Sequence, residues 1–165
     1  MELPKGVEWA AHALVVLHVV GDDRPLSSAG LARVFDLSPT YLNKHLQKLA
    51  AAGLVTSVPG ASGGFRLARG ADEISLHDVV AALGSAGPLF RCKEIRCQGA
   101  FADQKSQILA QGLCGINRAM LQAEDAWRSS LRSVSIAALA SGVGAASRTR
   151  MFQVTGLEPT TQENQ

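Results

Sequence analysis

Three cysteines, Cys92, Cys97 and Cys114, are the residues of this chain best equipped for chemistry, and they have four and sixteen residues between them. An odd number of thiols does not build a disulfide framework. Such thiols can bind a soft metal, a Cys3His zinc site being one form. They can also react as free redox thiols, or sit in a core as small apolar side chains. Near the start of the chain, Glu8 and His12 are four residues apart in a helical pattern, so both project from one face. That spacing allows an ordinary helix ion pair of about 0.2–0.5 kcal/mol. A further chemical feature is the stretch from Ser38 to Ala68, which carries basic residues and no Asp or Glu. There is no nucleophile–base set, phosphate loop or paired-carboxylate motif, so the chain is not read as an enzyme.

Periodicity supplies the elements that must position these groups. Gly6 to Val20 has helical spacing, with Val7, Ala10, Ala11, Leu14 and Val15 on one face and His18 breaking the stripe. Residues 21–25 form a turn. Ser27 or Ser28 caps a short helix reaching Phe35, with Leu31, Val34 and Phe35 inward. Ser38 followed by Pro39 reads as an N-cap and a first-turn proline. That helix runs to about Ala52, with Gly53 as its C-terminal cap. Its apolar stripe is Leu42, Leu46 and Leu49, and His45 is expected to be a polar contact or solvated. Two short apolar runs follow, Leu54 to Val58 and Gly64 to Leu67, joined by a glycine-rich loop as a hairpin. Ser75 caps a helix from His77 to Leu83. Residues 89–114, which hold the cysteines, are expected to be irregular. Ile116 to Leu131 reads as a long helix and Ser135 to Ala140 as a short apolar one. From Ser141 the composition predicts a disordered tail.

A helix followed by a hairpin is the order of a recognition helix and a β-wing. Ser38, Thr40 and Tyr41 stand at the helix start, where hydroxyls and free N–H groups can hold a phosphate. Asn43, Lys44 and Gln47 face outward; Asn and Gln suit adenine and Lys suits guanine. Lys48 is placed for the backbone. In the wing, Ser62, Gly63 and Gly64 can approach a phosphate, and Arg66 can anchor it. The alternative is a solvated helix face.

The bulk numbers frame this. The chain has 165 residues, 47% apolar and 5% aromatic, with a net charge of +2. That suits one domain or one and a half, with a Leu/Val/Ala-rich helical core. A basic face on a nearly neutral molecule suits site-specific DNA binding better than general polyanion binding. No apolar run approaches the roughly 20 residues of a membrane span, and no signal peptide stands out, so a cytoplasmic protein with no membrane partner is expected.

The run LARVFDLSPTYLNKHLQKLAAAGLVTSVPGASGGFRLAR, followed by EISLHDVVAALG, resembles the Rrf2 family of bacterial winged-helix transcription regulators. The likeness extends from about Val7 to Ala140. It implies a mainly α fold with a small β-wing: a winged helix-turn-helix over residues 1–85, a cysteine-containing sensor loop over 86–114, and dimerisation helices over 115–140. Residues 141–165 are left as the tail. It also implies a homodimer on a pseudo-palindromic double-stranded operator, expected to act as a repressor.

Several members of the family carry an iron–sulfur cluster in the loop. The start VEWAAHALVVL is similar to members whose [2Fe-2S] cluster takes ligands from the first helix as well. Such a cluster needs four terminal ligands, and imidazole can replace a thiolate. Cys92, Cys97, Cys114, Glu8 and His12 are therefore the candidate ligands. Two cysteines with Glu8 and His12 would complete the set; so would all three cysteines with His12. A regulator of the same fold without a cluster, sensing by cysteine oxidation or a small ligand, is the alternative.

Overall fold

The computed structural model describes residues 3–21, 23–60, 62–85 and 87–159, and among these it places eight α-helices and one hairpin. It divides into two units: Gly87–Ser130, and Glu2–Ala86 together with Leu131–Gln165.

The larger unit begins with α1 (Lys5–Val20), whose buried face is broader than the stripe expected: Ala13, Val16, Leu17 and Val20 join Ala10 and Leu14 inside. Helix α2 (Ser28–Val34) is capped by Ser27, whose hydroxyl accepts the Gly30 N–H at 3.0 Å. Leu31 is buried as expected, but Phe35 lies outside the core because its ring leans on His12 instead. Helix α3 (Pro39–Ala51) starts at Ser38, whose hydroxyl accepts the Tyr41 N–H, and buries Leu42, Leu46 and Leu49. Strands β1 (Val55–Val58) and β2 (Gly64–Leu67) pair antiparallel, with Val55 opposite Leu67 and Val58 opposite Gly64.

The hairpin is not free-standing. Leu26 and Phe65 exchange backbone hydrogen bonds of 2.8 and 2.9 Å, which fasten β2 to the segment before α2. A Cβ on Gly64 would lie 2.2 Å from the Leu26 carbonyl oxygen, so glycine is required there by this crossing.

Ser75 and Asp78 form a reciprocal capping box at α4 (Leu76–Val80). The helical run continues as a π-turn over Ala81–Ser85 and ends at Gly84, where φ is 100°. Helix α7 (Ile136–Ser141) packs on α1, and Ile136 N–H donates to the Ile74 carbonyl at 2.8 Å.

The expected disordered tail is corrected over most of its length. Residues Ala145–Thr155 form α8, which packs on α2 and α1 and buries Met151. Arg148 donates to the carbonyls of Ala140 and Val143 at 2.8 and 3.0 Å, tying α8 to the end of α7. Residues 160–165 lie outside the described part.

The smaller unit holds two 3-10 turns, Ile95–Cys97 and Gly99–Gln104, then α5 (Lys105–Ala110) and most of α6 (Gly115–Arg132). The stretch expected to be irregular is thus partly helical. Glu124 and Arg128 pair one turn apart on α6 at 2.7 Å. Glu124 also accepts the Leu89 N–H at 2.9 Å, and Arg128 donates to the Gly87 carbonyl at 2.8 Å. This pair anchors the start of the cysteine segment. No residue of α5 or α6 is buried.

Candidate nucleic-acid interface and thiol site

The outer face of α3 is assembled by the burial of its inner face. With Leu42, Leu46 and Leu49 inside, Thr40, Tyr41, Lys44, Gln47 and Lys48 are exposed and Asn43 is half-buried. Ser38 sits at the helix start with its hydroxyl already accepting from Tyr41. In the wing, Ser62 is exposed; Gly63 and Gly64 are half-buried against their own turn and Leu26. Arg66 is partly exposed and lies 3.9 Å from Asp23, a loose surface pair worth little. The described part of the basic stretch thus presents one helix face with a hairpin beside it.

His45 departs from expectation. It is 8% exposed, and neither ring nitrogen has a hydrogen-bond partner among the described residues. Three and four residues from Leu42 and Leu49, it falls on the buried face of α3. Its ring stands edge-on to Tyr41 at 4.7 Å and to Trp9 at 6.4 Å, and it fills the space above Gly6. Burial, with Lys48 nearby, holds its pKa below the ordinary histidine value. Trp9 packs beside it: it is half-buried and stands edge-on to Tyr41 at 5.1 Å.

Glu8 and His12 are exposed on α1. With Ala11, Val15, Leu139 and Val143 they line a groove of about 320 Å3 between α1 and α7. The His12 ring rests on Phe35 at 5.0 Å, which leaves both groups open to an outside partner.

The three cysteines are free and half-buried in the smaller unit. Cys114 precedes α6, and its sulfur accepts the N–H groups of Asn117 and Ile116. Those bonds, with the Arg96 charge, hold the thiol below its ordinary range. The Cys92 sulfur accepts the Glu94 N–H at 3.4 Å. Arg96 Nε donates to Glu94 Oε2 at 2.6 Å and Nη2 to the Gly112 carbonyl, within electrostatic reach of both Cys97 and Cys114. Cys92, Arg96, Phe101, Cys114 and Ile116 help line a cavity of about 630 Å3. Glu94 and Arg96 were not legible in the sequence, because residues two apart do not face each other on a helix and their meeting here depends on the left-handed backbone at Glu94.

Among the described residues, no group of three or more His, Cys, Asp or Glu side chains is placed to hold a metal ion. The three thiols are unpaired, and Cys114 is biased toward the thiolate, the form in which a cysteine binds a soft metal or reacts. Among the described residues, no helix is long and apolar enough to cross a membrane.

A basic helix face beside a hairpin, both set on an α-helical core, defines a winged-helix DNA-binding protein. Comparison with known proteins narrows the class. The chain belongs to the Rrf2 family, whose model is described as an iron-dependent transcriptional regulator and matches residues 3–142. It is 29% identical over 144 residues to the HTH-type transcriptional regulator YwgB of Bacillus subtilis, covering 87% of each chain. It is 31% identical over 140 residues to the HTH-type transcriptional regulator YffB of Lactococcus lactis, covering 85% of this chain and 87% of that one. In fold it is similar to CymR, the global cysteine regulator of B. subtilis, with a TM-score of 0.65 and 24% identity over 87% of this chain and 99% of that one. The protein is therefore a DNA-binding transcription regulator, and its relatives are named as regulators, a role that is not enzymatic.

Proposed function

We propose that this regulator is a homodimeric repressor whose grip on its operator is set by a [2Fe-2S] cluster. The observation that carries the reading is a ligand set in two halves. Three free thiols lie in one unit, and an exposed carboxylate and imidazole stand one turn apart on a groove in the other. Neither half supplies the four mixed ligands alone; a second copy brings its α1 to the cysteine loop of the first. The ligands are two of the cysteines with Glu8 and His12, or all three with His12. The family's description, which names iron, supports the same reading.

Helix α6 supports the dimer. It buries none of its residues, and Ile116, Met120 and Leu121 are exposed apolar side chains along it. Such a stripe is the kind of surface a second copy covers. Residues 1–85 then form the reading head, 86–114 the sensor loop and 115–140 the dimerisation element.

When bound, the cluster supplies one-electron redox chemistry. The chain's part is mechanical. Helix α1 carries Glu8 and His12 on its exposed side, while Gly6 and Trp9 contact His45 and Tyr41 of α3. A change in what holds Glu8 and His12 moves α1, and α1 repositions α3. Half-site spacing is a geometric requirement for a dimer, so a small change in the placement of two α3 helices shifts the bound population.

The test has two parts. Selection from random duplex DNA retrieves a two-fold symmetric site if the dimer reading holds. Anaerobic purification gives a coloured protein, and its visible spectrum is lost or shifted by His12→Ala and by alanine at the ligating cysteines. A colourless, iron-free protein whose DNA binding still follows redox state overturns the cluster. The second reading, direct cysteine oxidation, then stands on the thiolate-biased Cys114.

A further inference from the structure

We infer that Phe35 is the coupling residue of this regulator: its ring, resting on His12 of α1, passes what engages His12 to the turn between α2 and α3. The inference rests on the reading of His12 as part of the input, and it names where that input enters the reading head.

The placement is specific. Helix α2 ends at Val34, and at Phe35 the backbone leaves the helix, with φ −123° and ψ 15°. The Phe35 ring meets that of His12, centroids 5.0 Å apart and planes tilted by 49°. Asp36 follows at φ 52°, one of two non-glycine residues at positive φ among the described residues. Aspartate visits that left-handed conformation more readily than most residues. The Phe35 and Leu37 N–H groups both donate to the Ala32 carbonyl, at 3.3 and 2.9 Å, and Ser38 then caps α3. Only Asp36 and Leu37 separate Phe35 from that cap.

Two packed rings keep their contact only while both keep their orientation. His12 is exposed and lines the groove with Glu8, so an outside group can reach its imidazole. A bond to a ring nitrogen fixes the plane of that imidazole. Phe35 must then follow the plane or give up the contact. Close-packed interiors yield little, so the movement is taken up at the left-handed turn beside Phe35 and reaches the start of α3. Trp9 joins α1 to Tyr41 within α3, whereas Phe35 acts on the turn before it. Phe35 is a positioning residue, acting through His12 and the turn.

The first test needs no cluster. Affinity for a duplex selected from random DNA is measured on metal-free protein for His12→Ala, Phe35→Leu and the double variant. Each single change should alter the dissociation constant about two- to tenfold, the range of one aromatic contact. The double variant should match the larger single effect, because both changes remove the same contact. Phe35→Tyr keeps the ring and should stay within about twofold of wild type. Additive effects, or Phe35→Tyr altered as much as Phe35→Leu, overturn the inference. Amide exchange adds a reading that a general loss of stability would not give. In His12→Ala the Leu37 N–H should exchange several-fold faster while the β1–β2 hairpin keeps its rate. If Phe35→Leu does not fold, this exchange decides, and an unchanged Leu37 rate overturns the inference.

The second test compares iron–sulfur-reconstituted with metal-free protein. The ratio of their operator affinities should move toward one in Phe35→Leu, by about threefold or more. It should keep its wild-type value in Lys48→Ala, which weakens both forms alike. If wild type takes up no cluster, or both forms bind alike, the cluster reading fails and the metal-free cycle alone decides the coupling. If the wild-type ratio departs from one and survives in Phe35→Leu, the coupling fails and the cluster reading stands.

Discussion

Gly6 of α1 and His45 of α3 share a single space: a Cβ on Gly6 would stand 2.2 Å from Cε1 of the His45 ring. The first helix can approach the reading helix this closely only because residue 6 has no side chain. Gly6→Ala would gain up to about 1 kcal/mol of helix propensity. The clash is with ring atoms packed in a core, and overpacking of that kind costs about 1–3 kcal/mol. Net destabilisation is expected in urea unfolding. The Gly6→Ala, His45→Ala double variant should lose less than the sum of the single losses, because the ring that causes the clash is gone. Strict additivity would mean that the two residues do not share this contact.

The same contact gives a pH dependence. Burial, and secondarily Lys48, lowers the His45 pKa from its ordinary 6.5. Above that value the ring is neutral in both the folded and the unfolded chain, so it adds no slope. As pH falls through 6.5, the unfolded chain takes up a proton that the folded one resists, and stability falls. The decline ends only below the folded pKa. Unfolding free energy measured at pH 7.5 and 5.5 should drop for wild type and drop less for His45→Leu. An equal drop in both would show that His45 does not carry the pH dependence.

Lys48 and Gln47 are exposed on α3 and test the interface in different ways. A lysine that meets a phosphate contributes about one unit to the salt slope of binding. Lys48→Ala should therefore weaken binding to the selected operator and to unrelated duplex alike, with a shallower salt dependence. Gln47→Ala should cost about 1–3 kcal/mol on the selected site only, if it reads a base edge. Gel-shift titrations at several salt concentrations check both. If neither variant changes affinity, α3 is not the reading helix.

What could be read ahead of the structure was what local chemistry decides. Ser38 with Pro39, and Ser75, announced helix starts that the backbone reproduces, because a cap acts within one turn. Leu42, Leu46 and Leu49 announced the buried face of α3. His45 lies in the same register, and only its polar residue type argues against burial there. The spacing was right, and tertiary packing accepted an imidazole where none was expected. Glu94 and Arg96 escaped for a different reason: their meeting depends on one left-handed residue. In the candidate site, Glu8 with His12 and the three cysteines were visible as residue types, whereas Arg96 was not.

Helix α8 shows how composition misleads, and yields the last prediction. Residues from Ser141 onward average out as polar and glycine-containing, yet the glycines stand at the ends. Gly144 is the N-cap and Gly156, at φ 73°, closes the C-terminus, with helix-compatible sequence between them. The helix stays because it packs on α2 and α1 through Met151, while Arg148 caps the carbonyls of Ala140 and Val143. Burying a methionine side chain is worth about 1.5–3 kcal/mol. Met151→Ala should therefore cost about 2 kcal/mol in chemical denaturation. Truncation after Val143 should cost at least as much, and should also loosen α2, which packs against α3. Amide exchange in α2 should accelerate in the truncated chain while the Glu124–Arg128 segment of the other unit keeps its protection. A truncated chain as stable as wild type, with α2 unchanged, would show that α8 docks without supporting the reading head.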